Sequence, residues 1–140
     1  MINSDYLNRC IASLIKAYEL LTQQNKDEVL HDVYRSASIK EFELILEQSG
    51  KLLKKAIQPY FSDNLALDRL FFKDIFRYGH KFGLLNEDET KRWLAYRDSR
   101  NQTAHNYGEK LAQKTISLVP EFIIDSQNLV KNIEKLNATK

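Results

Sequence analysis

SIKEFELILEQSGKLLKKAI, residues 38–57, is the stretch on which the fold class turns. Phe42, Ile45, Leu46, Leu52, Leu53, Ala56 and Ile57 fall at three- and four-residue steps, the interval at which side chains return to one face of an α-helix. The pattern extends upstream through Val29, Val33, Tyr34 and Ala37 and stops around Pro59, predicting one helix from about residue 29 to residue 60. Gly50 in its middle is expected to bend or weaken it.

Upstream of this helix, Leu7, Cys10, Ile11, Leu14, Ile15, Tyr18 and Leu21 repeat in the same way. They predict a helix that starts near Ser4 or Asp5 and ends at the polar run TQQNKDE. Downstream, a third pattern runs from Leu65 to Phe82, with Asp63 or Asn64 as cap and Gly83 as stop. Asn86 opens a fourth, with Glu89 placed for a capping box, and this helix carries Trp93, Leu94 and Tyr96 toward a terminator at Gly108. Residues 109–116 read as a short helix, and Pro120 as the first turn of a last one carrying Phe122, Ile123, Leu129, Val130, Ile133 and Leu136. No strand alternation competes over a useful length. The expectation is an all-α, up-and-down antiparallel bundle of about five helices, one domain over residues 1–140.

Hydrophobic residues make up 43% of the chain and charged residues 29%, so the composition is that of a folded, non-membrane domain. No apolar run is long enough to span a bilayer, and MINSDYLNRC lacks the features of a secretory signal, so the cytoplasm is the expected location. The single cysteine, Cys10, sits among Leu7, Ile11 and Leu14 and reads as a core residue. A net charge of +2 is too small to announce nucleic-acid binding by itself.

The fourth helix ends on RNQTAHNY, residues 100–107, an arginine and a histidine in a run of small polar residues. Arg97, Asn101 and His105 fall at four-residue steps on one helical stripe. Arg100 and His105 are five residues apart, which turns one from the other by about 140° and separates them by about 7.5 Å along the axis. Two copies packed about a two-fold axis could bring the arginine of one to the histidine of the other. Bending at the helix end, or the length of an arginine side chain, could also serve within one chain.

Histidine moves protons near neutral pH, and the guanidinium fork of arginine fits a phosphate, a pairing suited to RNA cleavage by the 2′-hydroxyl. That route needs no metal. Asn101 could orient the histidine or bond the phosphate. The plainer reading is a polar cluster that satisfies helix-end carbonyls or ties the bundle together. Lys73, Arg77, His80 and Lys81 form a second basic stripe that, with Lys91 and Arg92, could face RNA or merely solvent. Arg97, Asp98, Lys73 and Arg77 are therefore the candidate RNA-binding or supporting residues, while His31 has no visible partner. There is no glycine-rich phosphate loop and no Cys/His metal set, so neither cofactor nor metal is expected, and any nucleotide transfer would belong to a partner.

The segment WLAYRDSRNQTAHNY, Trp93 to Tyr107, resembles the signature of the HEPN domains, in particular the small prokaryotic branch known as nucleotidyltransferase substrate-binding proteins. The likeness rests on Arg100, four residues, His105, one residue and Tyr107. SIKEFELILEQSGKLLKKAI and FFKDIFRYGHKFGLLNEDETKRW extend it over about residues 33 to 135. The resemblance implies a helical bundle, usually a homodimer, in complex with a minimal nucleotidyltransferase. In many such toxin–antitoxin pairs the bundle is a metal-independent RNase silenced by its partner. Arg100 and His105 would then be the catalytic pair, Asn101 the polar residue beside the arginine, and Tyr107 the tyrosine that the partner adenylylates. AMP on Tyr107 would put bulk and negative charge where the RNA phosphate must sit. The alternative is a non-catalytic subunit that presents a substrate to the nucleotidyltransferase.

Overall fold

The computed structural model describes residues 1–105 and 108–139, with residues 103–105 described by their backbone alone. Among these, six α-helices make the bundle: α1 (Asp5–Thr22), α2 (Val29–Ile57), α3 (Asn64–Asp68), α4 (Phe72–Lys81), α5 (Glu87–His105) and α6 (Glu109–Ala138). One 3-10 turn (Gln58–Tyr60) carries Pro59 at the end of α2. α2 is the central element, packing on α1, α4 and α6, and α5 lies across α4 and α6.

α1 and α5 both run opposite to α6. Ile2, just before α1, exchanges two hydrogen bonds with Asn137 near the end of α6, at 3.0 and 2.8 Å. In the α5/α6 pair, Arg92 meets Asp125 near the start of α5, whereas Ser99 meets Thr115 toward its end. The core is an aromatic cluster drawn from four helices: Phe42 of α2, Phe76 of α4, Trp93 and Tyr96 of α5, and Phe122 of α6. Phe42 and Phe122 lie 4.4 Å apart, and Tyr96 meets Phe122 edge-on at 4.9 Å. Cys10 is buried on α1 as expected, and burial pushes its thiol up.

Two start signals act as read. Asp63 accepts from the Ala66 N–H at 3.0 Å. Asn86 and Glu89 exchange both bonds of a capping box at the head of α5. Gly83 ends α4 with φ +81°, the Leu84 N–H donating to the Gly79 carbonyl and the Gly83 N–H to that of His80. Nothing lies within 4 Å of where a Cβ on Gly83 would stand, so the cost of a side chain there is backbone strain alone. Gly83→Ala should destabilise the fold by about 1–2 kcal/mol, read as a lower urea midpoint with an unchanged slope.

Two expectations are corrected, and Gly50 gains a role in packing. The third pattern is two helices, α3 and α4, because Phe71 takes an extended backbone (ψ 167°). Its N–H turns to the Asp74 carboxylate, which starts a new helix. Gly50 does not interrupt α2; a Cβ there would stand 3.1 Å from the Phe72 ring, so the missing side chain admits α4 against α2. Pro120 starts no helix and lies inside α6, which runs through it unbroken. The reason is that Thr115, Val119, Phe122, Ser126 and Leu129 are all buried at three- and four-residue spacing across the proline, so core packing holds both sides on one axis. Proline still forfeits a helical hydrogen bond. Pro120→Ala should therefore raise stability by about 1–2 kcal/mol, checked as a higher urea midpoint.

Candidate functional site

α5 is held from three sides along its length. Deep in the bundle, Asp125 of α6 is fully buried and accepts from Arg92 Nε and Nη2, both at 2.8 Å, and from the Tyr96 hydroxyl at 2.5 Å. Burial, reinforced by the bond to Asp125, pushes the Tyr96 hydroxyl far above its usual range, so it remains a donor. The bonds to Asp125 likewise raise the Arg92 guanidinium. Arg92 is thus tied into the bundle through Asp125, with its side chain 36% exposed. One residue before Arg100, Ser99 and Thr115 share a buried hydrogen bond at 3.0 Å that fixes α5 to α6. On the third side, Asp98 pairs with Lys73 of α4 at 2.6 Å.

This framing sends successive side chains of α5 to different neighbours. Arg100 and Arg97 line a cavity of about 430 Å³ whose opposite wall is α2, with Lys40, Glu43 and Glu47. Arg97 and Asn101 also line a second groove of about 390 Å³ against α4, together with Lys73 and Arg77. Arg97 belongs to both, and its guanidinium lies 4.9 Å from the centroid of the Phe72 ring, a cation–π contact. The cavities therefore adjoin at Arg97. On the far side of Lys40 and Glu43, Arg35, Gly108 and Ala112 enclose a further pocket of about 360 Å³ between α2 and the start of α6.

The structure thus joins Arg97 to Arg100 in one cavity and to Asn101, Lys73 and Arg77 in the other. His105 is the last residue of α5; its side chain and the whole of Tyr107 lie outside the described residues. The other members of the second basic stripe have neighbours of their own. His80 Nδ1 meets the Leu85 carbonyl at 3.0 Å, tying α4 to the turn before α5, and Lys81 lies over the Tyr78 ring. Lys91 pairs with Glu87 along α5. His31 is buried, with Asp32 at 3.9 Å. Among the described residues no group of three or more His, Cys, Asp or Glu side chains could hold a metal ion, and no helix is long and apolar enough to cross a membrane.

Sequence reasoning missed the α2 wall and the Phe72 ring beside Arg97. Lys40, Glu43 and Glu47 recur at helical spacing on α2, a signal that could have placed them on one face. Nothing in the sequence could say which helix that face would meet.

Comparison with known proteins places the chain among related folds. A family model described as nucleotidyltransferase substrate binding protein like matches residues 3–135. A Haemophilus influenzae protein named probable ribonuclease HepT is 27% identical over 140 residues, spanning 97% of this chain and 94% of that protein. A solved structure from Haemophilus influenzae, described as having the fold of a substrate binding domain of a nucleotidyltransferase, matches with a TM-score of 0.80 at 27% identity. The match covers 94% of this chain and 99% of that one. A crystal structure of a Thermus thermophilus protein matches with a TM-score of 0.67 at 25% identity, over 91% of this chain and 98% of that one.

Proposed function

This chain belongs to the nucleotidyltransferase substrate-binding protein-like family, and on that basis we propose that it is a HEPN-type toxin, a metal-independent endoribonuclease neutralised by a minimal nucleotidyltransferase. The observation that carries the reading is the intact Arg100, His105, Tyr107 spacing on and just beyond an α5 whose last turns present Arg97 and Arg100 to one cavity. The name of the Haemophilus relative supports the ribonuclease class.

In the proposed reaction His105 takes the proton of a ribose 2′-hydroxyl, and the 2′-oxygen attacks the adjacent phosphorus. The bond from phosphorus to the 5′-oxygen breaks, that oxygen takes a proton from water while His105 returns its own to solvent, and a 2′,3′-cyclic phosphate remains. Arg100 donates to the phosphate oxygens as charge builds on them, with Asn101 supporting. The angular offset between Arg100 and His105 on one helix favours a homodimer in which each active site draws on both chains. The partner adenylylates Tyr107, and the added phosphate repels RNA from the site. Its work is in the cytoplasm.

The test is incubation of a mixed RNA pool with the purified protein in EDTA, with Tyr107 shown to be unmodified by mass spectrometry. Cleavage that leaves 2′,3′-cyclic phosphate ends is expected. Intact RNA across several substrates would overturn the nuclease reading and favour a second one. In that reading the chain is a non-catalytic subunit that presents a substrate to a nucleotidyltransferase, as the description of the Haemophilus fold suggests.

A further inference from the structure

Phe71 is 79% exposed, a large aromatic ring standing in solvent at the head of α4. Its place is set by the backbone, since its N–H donates to Asp74 Oδ2 at 3.1 Å and its side chain fills no core position. It lines the same groove as Arg97 and Asn101. The neighbouring ring, Phe72, has Phe76 at 4.5 Å and the Arg97 guanidinium at 4.9 Å, so a cation–π contact holds that arginine beside the groove.

Charge supplies an independent observation. Lys73, Arg77 and Arg97 line the groove against one lining carboxylate, Asp74. Asp98 pairs with Lys73 and Asp74 with Arg77, at 2.6 and 3.5 Å, but all four side chains are at least a third exposed, where an ion pair is weak and yields readily to a phosphate. An exposed ring beside three cations, Arg77 exposed and Lys73 and Arg97 half-buried, in a groove of about 390 Å³ that adjoins the Arg100 cavity through Arg97, matches the two features of single-stranded RNA: a flat base and its flanking phosphates.

We propose that the groove between α4 and the end of α5 is a stacking subsite for an unpaired nucleotide beside the scissile phosphate, with Phe71 as the platform for the base and Arg77 and Arg97 on the phosphates. It rests on the reading of the α5 end as RNA-facing and names the substrate class of that site: RNA with an unpaired base next to the cut. A paired base is already stacked in its own helix and cannot lie on Phe71.

The test is fluorescence anisotropy with a labelled single-stranded 2′-O-methyl oligoribonucleotide of mixed sequence, which keeps bases and phosphates but cannot be cut by 2′-hydroxyl attack. Phe71→Ala is expected to weaken binding by roughly 5- to 150-fold, and Phe71→Trp to retain it. Arg77→Ala should reduce the slope of log affinity against log salt by about 0.7. An abasic oligonucleotide should bind the parent weakly and lose nothing further with Phe71→Ala. Unchanged affinity in Phe71→Ala, equal affinity for a blunt duplex, or no binding by the parent would each overturn the subsite. Cleavage of natural RNA separates the two readings. Phe71-dependent binding without cleavage upholds the subsite and removes the nuclease, whereas cleavage with Phe71-independent binding does the reverse.

Discussion

Arg92→Met is expected to lower the stability of the fold by about 3–5 kcal/mol, because it leaves a buried carboxylate without its counter-charge. Asp125 is fully buried, and with Arg92 gone only the Tyr96 hydroxyl, among the described residues, would still donate to it. Methionine keeps most of the side-chain length, so the lost pair, and not lost packing, dominates the change. A melting temperature lower by roughly 10–20 °C is the expected reading for a domain of this size. Adding Asp125→Asn should return at least about 1 kcal/mol, since it removes the stranded charge while keeping an acceptor for Tyr96. The competing picture is an ordinary surface pair, because the Arg92 side chain is 36% exposed and Glu121 lies 3.5 Å away. A loss under about 1 kcal/mol, with no recovery in the double variant, would establish that picture instead.

His105→Ala should slow RNA cleavage by about 10²–10⁴-fold, the usual worth of a positioned general base, with the melting temperature and oligomeric state unchanged. Arg100→Ala should be similarly damaging, and Arg100→Lys should recover only part of the loss, because an ammonium keeps the charge but not the planar fork. If the polar cluster only ties the helix end, His105→Ala would lower the melting temperature and leave the activity of the folded fraction intact. A mixing experiment addresses the shared site. Arg100→Ala and His105→Ala chains, each inactive alone, should regain cleavage when combined if one active site takes its arginine and histidine from different chains. Continued inactivity of the mixture, with heterodimers demonstrated, would place the pair within one chain.

How much of this was legible in the sequence varies by residue. The helices could be read from spacing because helix period is a local property: Phe42, Ile45 and Leu46 share a face whatever they meet. Asp63, Asn86 with Glu89, and Gly83 were readable for the same reason, since a cap is satisfied within four residues of itself. The Arg100, His105, Tyr107 motif and its family were also legible, because the signature is a short linear pattern.

Only the tertiary structure decided what lies across from each helix. Pro120 reads locally as a start and is an interior residue, because buried Val119 and Phe122 outweigh the hydrogen bond it forfeits. Gly50 reads locally as a weak point and is a seat for Phe72. Arg92 reads as one more surface cation and is committed to Asp125, thirty-three residues away in sequence. Arg97, one of three arginines on α5, becomes the link between two cavities through the walls that α2 and α4 provide. Periodicity and capping depend on neighbours along the chain, which the sequence states directly. Pairing, burial and the shape of a groove depend on residues brought together by packing, which no local pattern contains.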